Sequence, residues 1–398
     1  MKKVFALTLS LCLMAGVVFA EGENEKKSEG YKFEMIKKAE GTTIKNQYRS
    51  GTCWSFSGLG FFENELLKAG KGNLDLSEMF VVRNSYSDKA EKYVRFHGNL
   101  NFGGGGSFQD VVNCIKKYGI VPEGAYKGLE YGQEKHVHGE LDVILKGYVD
   151  AVLKNKNRKL TPTWHKGFNG VLDAYMGDYP ETFTYEGKEY TPKSFASEVG
   201  LNMDDYVMIS SYTHHPFYEQ FIIEVPDNWS YGTVYNLPLD EMMSVMDNAI
   251  EEGYSVAWAA DISEKGFSWR KGLAIVPEKR IEDMTDSEKS KWSELSTKDK
   301  QKQLYNFGTP GSEKEITQEL RQEGFDNYLT TDDHGMVIEG IAKDQNGNKY
   351  YYVKNSWSTD GVYDGYFYAS HPFVAYKTMS ILVNKNSIPK KIKKKMGL

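Results

Sequence analysis

Apolar side chains recur at helical spacing in several stretches of the chain, and the first clear stretch begins at Cys53. From there apolar and small residues return every three or four positions, and Gly70 stands where that helix is expected to end. Ser77 is the expected cap of a second helix, because its hydroxyl can accept a hydrogen bond from a free N–H of the first turn. The same spacing predicts further helices over residues 108–118 and 239–250.

Strand signals concentrate in the last third of the chain. Short apolar-rich runs predict strands over residues 335–342 and 349–354, and the segment 344–348 between them carries the Asn-Gly pair of a tight turn, so a β-hairpin is expected. Residues 131–200 are polar without an obvious repeat, and the lysine-rich residues 277–327 are most simply solvated helices. Other apolar runs predict strands over residues 206–211, 221–225, 254–260, 361–369 and 378–383.

The composition is that of a globular protein with a substantial core. The 398 residues leave room for two or three domains, or for one elaborated domain. Aromatic residues make up 14% of the chain, which argues against general disorder. The formal charge of −6 becomes −8 once the first twenty residues, which hold Lys2 and Lys3 and no acid, are removed. A net negative charge is not typical of a protein that binds nucleic acids in general, so no nucleic-acid partner is required.

Residues 1–20 have the pattern of a secretory signal peptide. Lys2 and Lys3 form the charged start, residues 4–18 are almost wholly apolar, and Ala20 offers a cleavage point. A membrane-spanning helix needs about 20 apolar residues, so removal of this segment is expected rather than a stable membrane anchor. We therefore expect export, to a bacterial periplasm or the extracellular space, and a mobile mature N-terminus over residues 21–40.

Cleavage leaves two cysteines, Cys53 and Cys114, too few for a disulfide framework in a protein of this size. Either they pair, or at least one is kept free for chemistry. Cys53 stands in the first turn of a predicted helix, where the positive end of the helix dipole favours the nucleophilic thiolate. The alternative is a small packed apolar side chain, which is the expectation for Cys114 in its apolar helical run.

A cysteine nucleophile needs a base, and the base needs an orienting partner. His334 opens the first strand of the predicted hairpin and Asn355 follows the second, so the turn brings the imidazole beside an amide oxygen that can accept a hydrogen bond from it. Trp357 is placed to shield that bond from water. Gln47 lies six residues before Cys53, and its amide can donate to a developing oxyanion together with the Cys53 backbone N–H.

The glycine run 103–106 is a candidate ligand loop. Glycines allow the backbone to approach a ligand closely, which makes Gly104 and Gly105 candidate substrate-binding residues. An ordinary tight turn fits the same run equally well. A phosphate cradle is not indicated, because no lysine or helix-opening fingerprint follows a strand here.

Two pairs of histidines bear on metal binding. His136 and His138 have no third ligand at a convincing spacing. His214 and His215 precede Pro216 and are expected to be loop structure. No metal and no cofactor are therefore expected.

Taken together, these residues resemble the papain-fold cysteine peptidases. The resemblance rests on Gln47, residues 51–54, His334 and residues 355–357. Where the papain signature carries a first cysteine and a small residue, this chain has Ser50 and Thr52. The resemblance implies an α+β fold of two lobes, a helical lobe that carries the cysteine and an antiparallel β lobe that carries the histidine and the asparagine.

The chain differs from ordinary papains in two features, and in both it resembles the bleomycin hydrolase and aminopeptidase C branch of the family. Cys53 and His334 are 281 residues apart, against about 130–150 in ordinary papains. Only 32 residues separate the expected cleavage point from Cys53, too few for a papain propeptide. The resemblance implies a peptidase domain over residues 41–384 with insertions at about 131–195 and 277–315. Stretches that add to it are residues 74–78, 116–122, 202–207, 236–238 and 334–337.

In that branch the active sites lie inside a homohexameric barrel, and a C-terminal arm lies in the cleft. The arm's terminal carboxylate holds the free amine of the substrate. The arm corresponds here to residues 385–398, so Leu398 is a candidate substrate-binding residue, as is Trp357. A surface tail is the alternative, because the lysines at 393–395 depart from the arm of the relatives.

The resemblance implies thiol-dependent hydrolysis of peptide substrates, mainly release of N-terminal amino acids through an acyl-enzyme on Cys53. His334 is then base and acid, Asn355 orients it, and Gln47 stabilises the oxyanion. A papain-type endopeptidase and an acyl transferase with the same site stay open. A scaffold whose basic tail docks on membrane or nucleic acid is the non-enzymatic alternative, and it leaves the four-residue site unexplained.

Overall fold

The computed structural model describes residues 30–278 and 304–398, together with Thr285, Asp286, Ser290 and Ser296. The expected signal peptide, residues 1–20, lies outside the described residues. No helix among the described residues combines the length and the apolar character needed to cross a membrane. In chain order the described elements are β1 (Phe33–Lys38), α1 (Cys53–Lys68), α2 (Glu78–Arg95), α3 (Phe108–Tyr118), α4 (Gly139–Leu153), α5 (Thr163–Met176), β2 (Phe183–Tyr185), β3 (Lys188–Tyr190), α6 (Pro192–Val199), β4 (Tyr206–Ser210), β5 (Gln220–Ile222), β6 (Thr233–Asn236), α7 (Leu239–Glu251), β7 (Val256–Ala260), β8 (Phe267–Ser268), β9 (Leu273–Ala274), α8 (Gln318–Asp326), β10 (His334–Asp344), β11 (Lys349–Lys354), β12 (Tyr366–Ser370), α9 (His371–Lys377), β13 (Thr378–Asn384) and α10 (Lys390–Lys395).

Helix α1 is the central element of a helical lobe. It is buried along nearly its whole length, and its side chains share one hydrophobic core with those of α2 and α3. On its other side α1 packs against strand β10 of the sheet. The helix begins at Cys53 as predicted, and α2 is capped as predicted, because the hydroxyl of Ser77 accepts a 3.0 Å hydrogen bond from the N–H of Phe80.

The second lobe is built on one large sheet. Eleven of the described strands belong to it, and ten of them follow the order β5-β6-β4-β13-β7-β10-β11-β12-β9-β8. The predicted hairpin is confirmed: β10 and β11 are antiparallel, with Val337 opposite Lys354. On its other side β10 pairs with β7, which sets His334 opposite Ala260. A second hydrophobic core between this sheet and α7, α9 and α10 fills the lobe.

The remaining sheet strand, β1, corrects the expectation of a mobile terminus for residues 33–38, whereas residues 21–29 of that terminus lie outside the described residues. Residues 33–38 pair antiparallel with β10. Phe33 stacks on Tyr368 with a centroid distance of 3.7 Å and meets Tyr350 edge-on at 5.0 Å. These aromatic contacts of the half-buried Phe33 hold the strand in place, and the charged residues around Phe33 gave no sign of them in the sequence.

The structure gives a different answer for each of the two polar regions whose sequence predicted no strands. Residues 131–195 contain α4 and α5, which pack against α2 and enlarge the helical lobe. Part of the second region, residues 277–327, lies outside the described residues. Its helix α8 is not simply solvated as expected, because Arg321 is buried and donates hydrogen bonds to four backbone carbonyls. The carbonyls belong to Ser211, Ala375, Tyr376 and Thr378.

Candidate active site

Cys53 occupies the first position of α1 and is half-buried. Both cysteines of the described chain are free, so the pairing alternative is wrong, and Cys114 is buried in the core as expected. The neighbouring Trp54 donates its indole N–H to the carbonyl of Gly104 over 2.9 Å. The glycine loop is thus bonded to the first turn of the helix that carries the thiol.

The imidazole of His334 and the amide of Asn355 meet as predicted. The distance from Nε2 of His334 to Oδ1 of Asn355 is 2.8 Å, and both residues are buried. The ring of Trp357 lies 4.8 Å from the imidazole centroid, tilted by 36°. Trp357 itself packs against Trp269 and Phe267, so an aromatic layer covers the His334–Asn355 bond.

The hydrogen bonds around Asn355 fix the tautomer of His334. The Ser356 N–H also donates to Oδ1 of Asn355, at 2.8 Å, which identifies that atom as the amide oxygen. An amide oxygen only accepts, so Nε2 of His334 carries a proton. The lone pair of the neutral imidazole is therefore on Nδ1, the nitrogen that is left to act as a base.

Gln47 is tied to the same segment. Its backbone N–H donates to the carbonyl of Ser356 over 2.9 Å, and its side-chain oxygen accepts a 2.6 Å hydrogen bond from the Ser356 hydroxyl. With the amide oxygen engaged in this way, the NH₂ group is the donor end of the side chain. Gln47 is buried six residues before Cys53.

Burial dominates the protonation of the two reactive groups. It raises the pKa of the Cys53 thiol to about 12, although the backbone N–H groups of Gly335 and Trp54 oppose the shift. It lowers the pKa of His334 to about 4, against the effect of the bond to Asn355. The positive end of the helix dipole was expected to favour the thiolate of Cys53, and loss of solvation at this position opposes that effect. When the thiol proton moves to the imidazole, a thiolate and an imidazolium form together and the net charge stays zero. Burial destabilises such an ion pair less than it destabilises a lone thiolate.

The glycine loop is held by a lysine that the sequence did not single out. Lys89, on α2, is buried, and its ammonium donates to the carbonyls of Gly103 and Gly105. Gly105 has no room for a side chain, since an added Cβ would lie 2.1 Å from a carboxylate oxygen of Asp227. The loop therefore serves partly as packing around Asp227.

A cavity that encloses about 580 Å³, part of it open to solvent, lies beside Cys53 and His334. Three carboxylates, those of Asp227, Asp332 and Asp333, line it, whereas Gly104, Gly105 and Trp357 are not among its lining residues. No lysine or arginine is found among the lining residues either. The apolar part of the wall comes from Met208, Ile223, Val225, Val234 and Met379.

Asp227 and Asp332 are functional candidates that sequence reasoning missed. Asp332 stands two positions before His334, which was a usable signal, but nothing in the sequence links it to Asp227. Burial raises the pKa of Asp332 to about 7, and the nearby charges of Asp227 and Asp333 add to this shift. Burial also raises the pKa of Asp227, against Lys89 and a 2.9 Å hydrogen bond from Asn101.

The C-terminal arm does not bring Leu398 into this cavity. Ile392 and Met396 are buried in the core of the sheet lobe, and Lys395 forms an ion pair with Glu241 of α7. Leu398 lines a neighbouring depression, which shares Gln109 and Met208 with the wall of the cavity. The structure thus differs from the expected arrangement, because apolar side chains within the lysine-rich arm anchor it against α7.

Comparison with known proteins agrees with this geometry. A family model described as "Peptidase C1-like family" matches residues 17–303 and 315–397. The chain is 24% identical to aminopeptidase C of Streptococcus thermophilus, over 86% of this chain and 80% of that protein. It is 22% identical to bleomycin hydrolase of Mus musculus, over 90% of this chain and 84% of that protein.

Among solved structures, the chain resembles pepW from Lactobacillus rhamnosis HN001. The TM-score is 0.66 at 19% identity, and the match covers 92% of this chain and 84% of that one. The likeness concerns the fold, and it confirms the expected two-lobed α+β architecture.

Proposed function

The chain belongs to the Peptidase C1-like family, and we propose that it is a cysteine aminopeptidase that releases N-terminal amino acids from peptides through an acyl-enzyme on Cys53. The observation that carries this proposal is the cavity that Cys53 and His334 line together, with His334 bonded to Asn355 over 2.8 Å. The names of the relatives, aminopeptidase C and bleomycin hydrolase, support the same reaction.

The reaction begins with a proton transfer. Nδ1 of His334 takes the thiol proton while Sγ of Cys53 bonds to the carbonyl carbon of the first peptide bond. The C–N bond then breaks, His334 returns the proton to the departing amine, and a thioester remains on Sγ. Water activated by the same imidazole cleaves the thioester, which frees the amino acid and restores the thiol.

Two neighbours assist these steps. Asn355 holds the imidazole so that Nδ1 faces the sulfur, and it stabilises the imidazolium that forms. The NH₂ of Gln47 and the backbone N–H of Cys53 donate to the oxygen of the tetrahedral intermediate, where negative charge develops. Trp357 keeps water away from the His334–Asn355 bond, which strengthens it.

An aminopeptidase must recognise the free amine of its substrate. Of the three carboxylates that line the cavity, Asp333 already accepts hydrogen bonds from the N–H groups of Ile262 and Ser263, which leaves Asp227 and Asp332, whereas Leu398 lies outside the cavity. Two half-buried carboxylates in one cavity repel each other, and a substrate ammonium placed between them relieves that repulsion. We therefore assign recognition of the amine to Asp332 and Asp227 rather than to the terminal carboxylate.

The test compares a free peptide with the same peptide acetylated at its amine. The wild-type protein is expected to shorten the free peptide one residue at a time and to leave the acetylated peptide intact. Cys53→Ala is expected to abolish turnover with unchanged circular dichroism, and Cys114→Ala, which removes the buried thiol, is the matched control that keeps activity. Internal cleavage of both peptides points instead to an endopeptidase, amine incorporation to an acyl transferase, and turnover by Cys53→Ala refutes thiol catalysis.

Export and assembly are further parts of the proposal. The charged start and apolar run of residues 1–20 support secretion, and the similarity to bleomycin hydrolase and aminopeptidase C underlies a homohexamer. N-terminal sequencing of the exported protein is expected to begin at Glu21. Light scattering of the purified protein is expected to give six times the chain mass, and a monomer mass refutes the hexamer.

A further inference from the structure

A group of three potential metal ligands lies outside the catalytic cavity. Among the described residues, His214, His215 and Glu224 form the one group of three such side chains whose ligand atoms all lie within 4.8 Å of one another. Nε2 of His214 is 3.2 Å from one carboxylate oxygen of Glu224, and Nε2 of His215 is 2.9 Å from the other. Both imidazoles therefore direct Nε2 toward the carboxylate of Glu224.

These separations suit a small cation. Zinc binds imidazole nitrogen and carboxylate oxygen at about 2.0–2.2 Å, so ligand atoms around it lie roughly 3.3 Å apart in a tetrahedral site. The two measured separations are close to that value, and a water molecule completes a four-coordinate site. Two imidazoles and a carboxylate are ligands that zinc and similar divalent ions accept, whereas calcium and magnesium prefer oxygen alone.

The side-chain amide of Gln322 contacts Nδ1 of His214, the ring nitrogen that does not face Glu224. The Nδ1 atom of His214 is 3.0 Å from the amide nitrogen of Gln322 and 3.3 Å from its amide oxygen. When Nε2 binds a metal, the proton of a neutral imidazole is on Nδ1 and needs an acceptor. The amide oxygen of Gln322, which also accepts a 2.6 Å hydrogen bond from the N–H of Thr213, is near enough to supply that acceptor after a small rotation of the amide group.

The loop that carries the two histidines is held firmly. Asn236, which is buried, donates to the carbonyl of His215 over 2.8 Å and accepts from the N–H of Tyr212 over 2.9 Å. The ring of His215 stacks on Phe221 at a centroid distance of 4.5 Å. Rings already fixed in position lose little conformational freedom when they bind a ligand.

The group also adjoins the wall of the catalytic cavity. Ile223 and Val225 line that cavity, and Glu224 between them is exposed. The N–H of Val225 donates to the carbonyl of Ile223 over 3.1 Å, so the backbone turns tightly at Glu224 and leaves its side chain outside the cavity. A cation bound by Glu224 therefore fixes the backbone that forms the cavity wall.

We propose that His214, His215 and Glu224 bind a divalent transition-metal cation, zinc in the first place, at a site separate from Cys53 and His334. This departs from the expectations of loop structure for the two histidines and of no metal. Because the site contains no catalytic residue, the proposal does not depend on the proposed peptidase function. The cation is a structural ligand that stabilises segment 221–225 and its loop.

The experiment uses the tag-free full-length chain with Cys53→Ala, because the catalytic thiol can itself bind added zinc and would add to the measured binding. Titration with zinc is expected to show one bound equivalent and a rise of the melting temperature by roughly 2–5 °C at saturation. Cobalt bound in its place is expected to give a visible absorption band without the charge-transfer band of a thiolate. Gln322→Ala is expected to weaken zinc binding by roughly 10- to 100-fold.

Variants locate the site. His215→Ala and Glu224→Gln, each combined with Cys53→Ala, are expected to lose the bound equivalent. His165→Ala is the matched control, because His165 approaches Glu91 at 3.5 Å as a histidine–carboxylate pair and is not part of the three-ligand group. Circular dichroism establishes that each variant is folded. Absence of a bound equivalent in the Cys53→Ala protein, or binding that survives both His215→Ala and Glu224→Gln, overturns the proposal.

Discussion

The hydroxyl of Ser356 donates a 2.6 Å hydrogen bond to the side-chain oxygen of Gln47, and the two residues are also joined by the bond from the Gln47 N–H to the Ser356 carbonyl. Ser356 directly follows Asn355, whose amide oxygen contacts His334. The oxyanion donor and the group that orients the base are therefore held by neighbouring residues of one segment. The geometry of the two catalytic functions is coupled through Ser356.

Gln47→Ala is expected to lower kcat by roughly 10²–10³, because it removes one of the two donors to the oxyanion. Ser356→Ala keeps the donor and removes only the bond that orients it, so a loss of roughly 10-fold is expected. Steady-state kinetics on an aminoacyl reporter substrate separates kcat from KM. A rise in KM with unchanged kcat in Gln47→Ala contradicts the oxyanion role, because the donor then acts on the bound substrate and the transition state alike.

Asn355→Ala is expected to lower kcat by roughly 10- to 100-fold, since a hydrogen bond to an imidazolium contributes about 1.5–3 kcal/mol. The melting temperature of Asn355→Ala is expected to stay close to that of the wild type. Asn346→Ala, in the exposed turn of the same hairpin, is the matched control and should retain full activity. Equal activity of the two variants shows that the His334–Asn355 bond does not serve catalysis.

The pH dependence of kcat/KM tests the assignment of amine recognition to Asp332. Its raised pKa of about 7 means that the carboxyl group is neutral below that pH and charged above it. The α-amine of a peptide loses its proton at about pH 8. For substrates with a free amine, kcat/KM is therefore expected to rise as the pH passes about 7 and to fall above about 8.

Asp332→Asn is expected to remove the rise near pH 7 and to lower kcat/KM at pH 7.5 by roughly 10- to 100-fold through KM. Asp333→Asn is the matched control: that carboxylate accepts hydrogen bonds from the N–H groups of Ile262 and Ser263, so the variant is expected to keep the rise, moved to lower pH because the charge of Asp333 adds to the raised pKa of Asp332. Melting temperatures establish that both variants fold. If Asp332→Asn keeps the rise near pH 7, another group recognises the amine.

Arg321→Lys is expected to destabilise the protein by roughly 2–4 kcal/mol. The guanidinium is buried and satisfies four carbonyls from two separate segments, and a lysine ammonium cannot reach all of them. Urea denaturation followed by tryptophan fluorescence measures the loss. Arg95→Lys is the control at an exposed arginine and should lie within about 0.5 kcal/mol of the wild type. Equal stability of the two variants contradicts a structural role for Arg321.

The sequence by itself determined the local elements that carry the chemistry. Helical periodicity placed Cys53 at the start of α1, and the Asn-Gly turn paired β10 with β11, so His334 and Asn355 had to meet. Both inferences succeed because hydrophobic spacing and turn geometry act between residues that are close along the chain. The same reasoning failed at β1, where the deciding contact, Phe33 on Tyr368, joins distant segments.

Only the tertiary structure decided what surrounds those elements. It brought Asp227 to Asp332 in the catalytic cavity, packed the C-terminal arm against α7 away from that cavity, and set His214 and His215 around Glu224. It also raised the pKa of the Cys53 thiol, because that pKa depends on how much water the packed lobes exclude. Burial and long-range contact are properties of the folded chain, and no local pattern of residues encodes them.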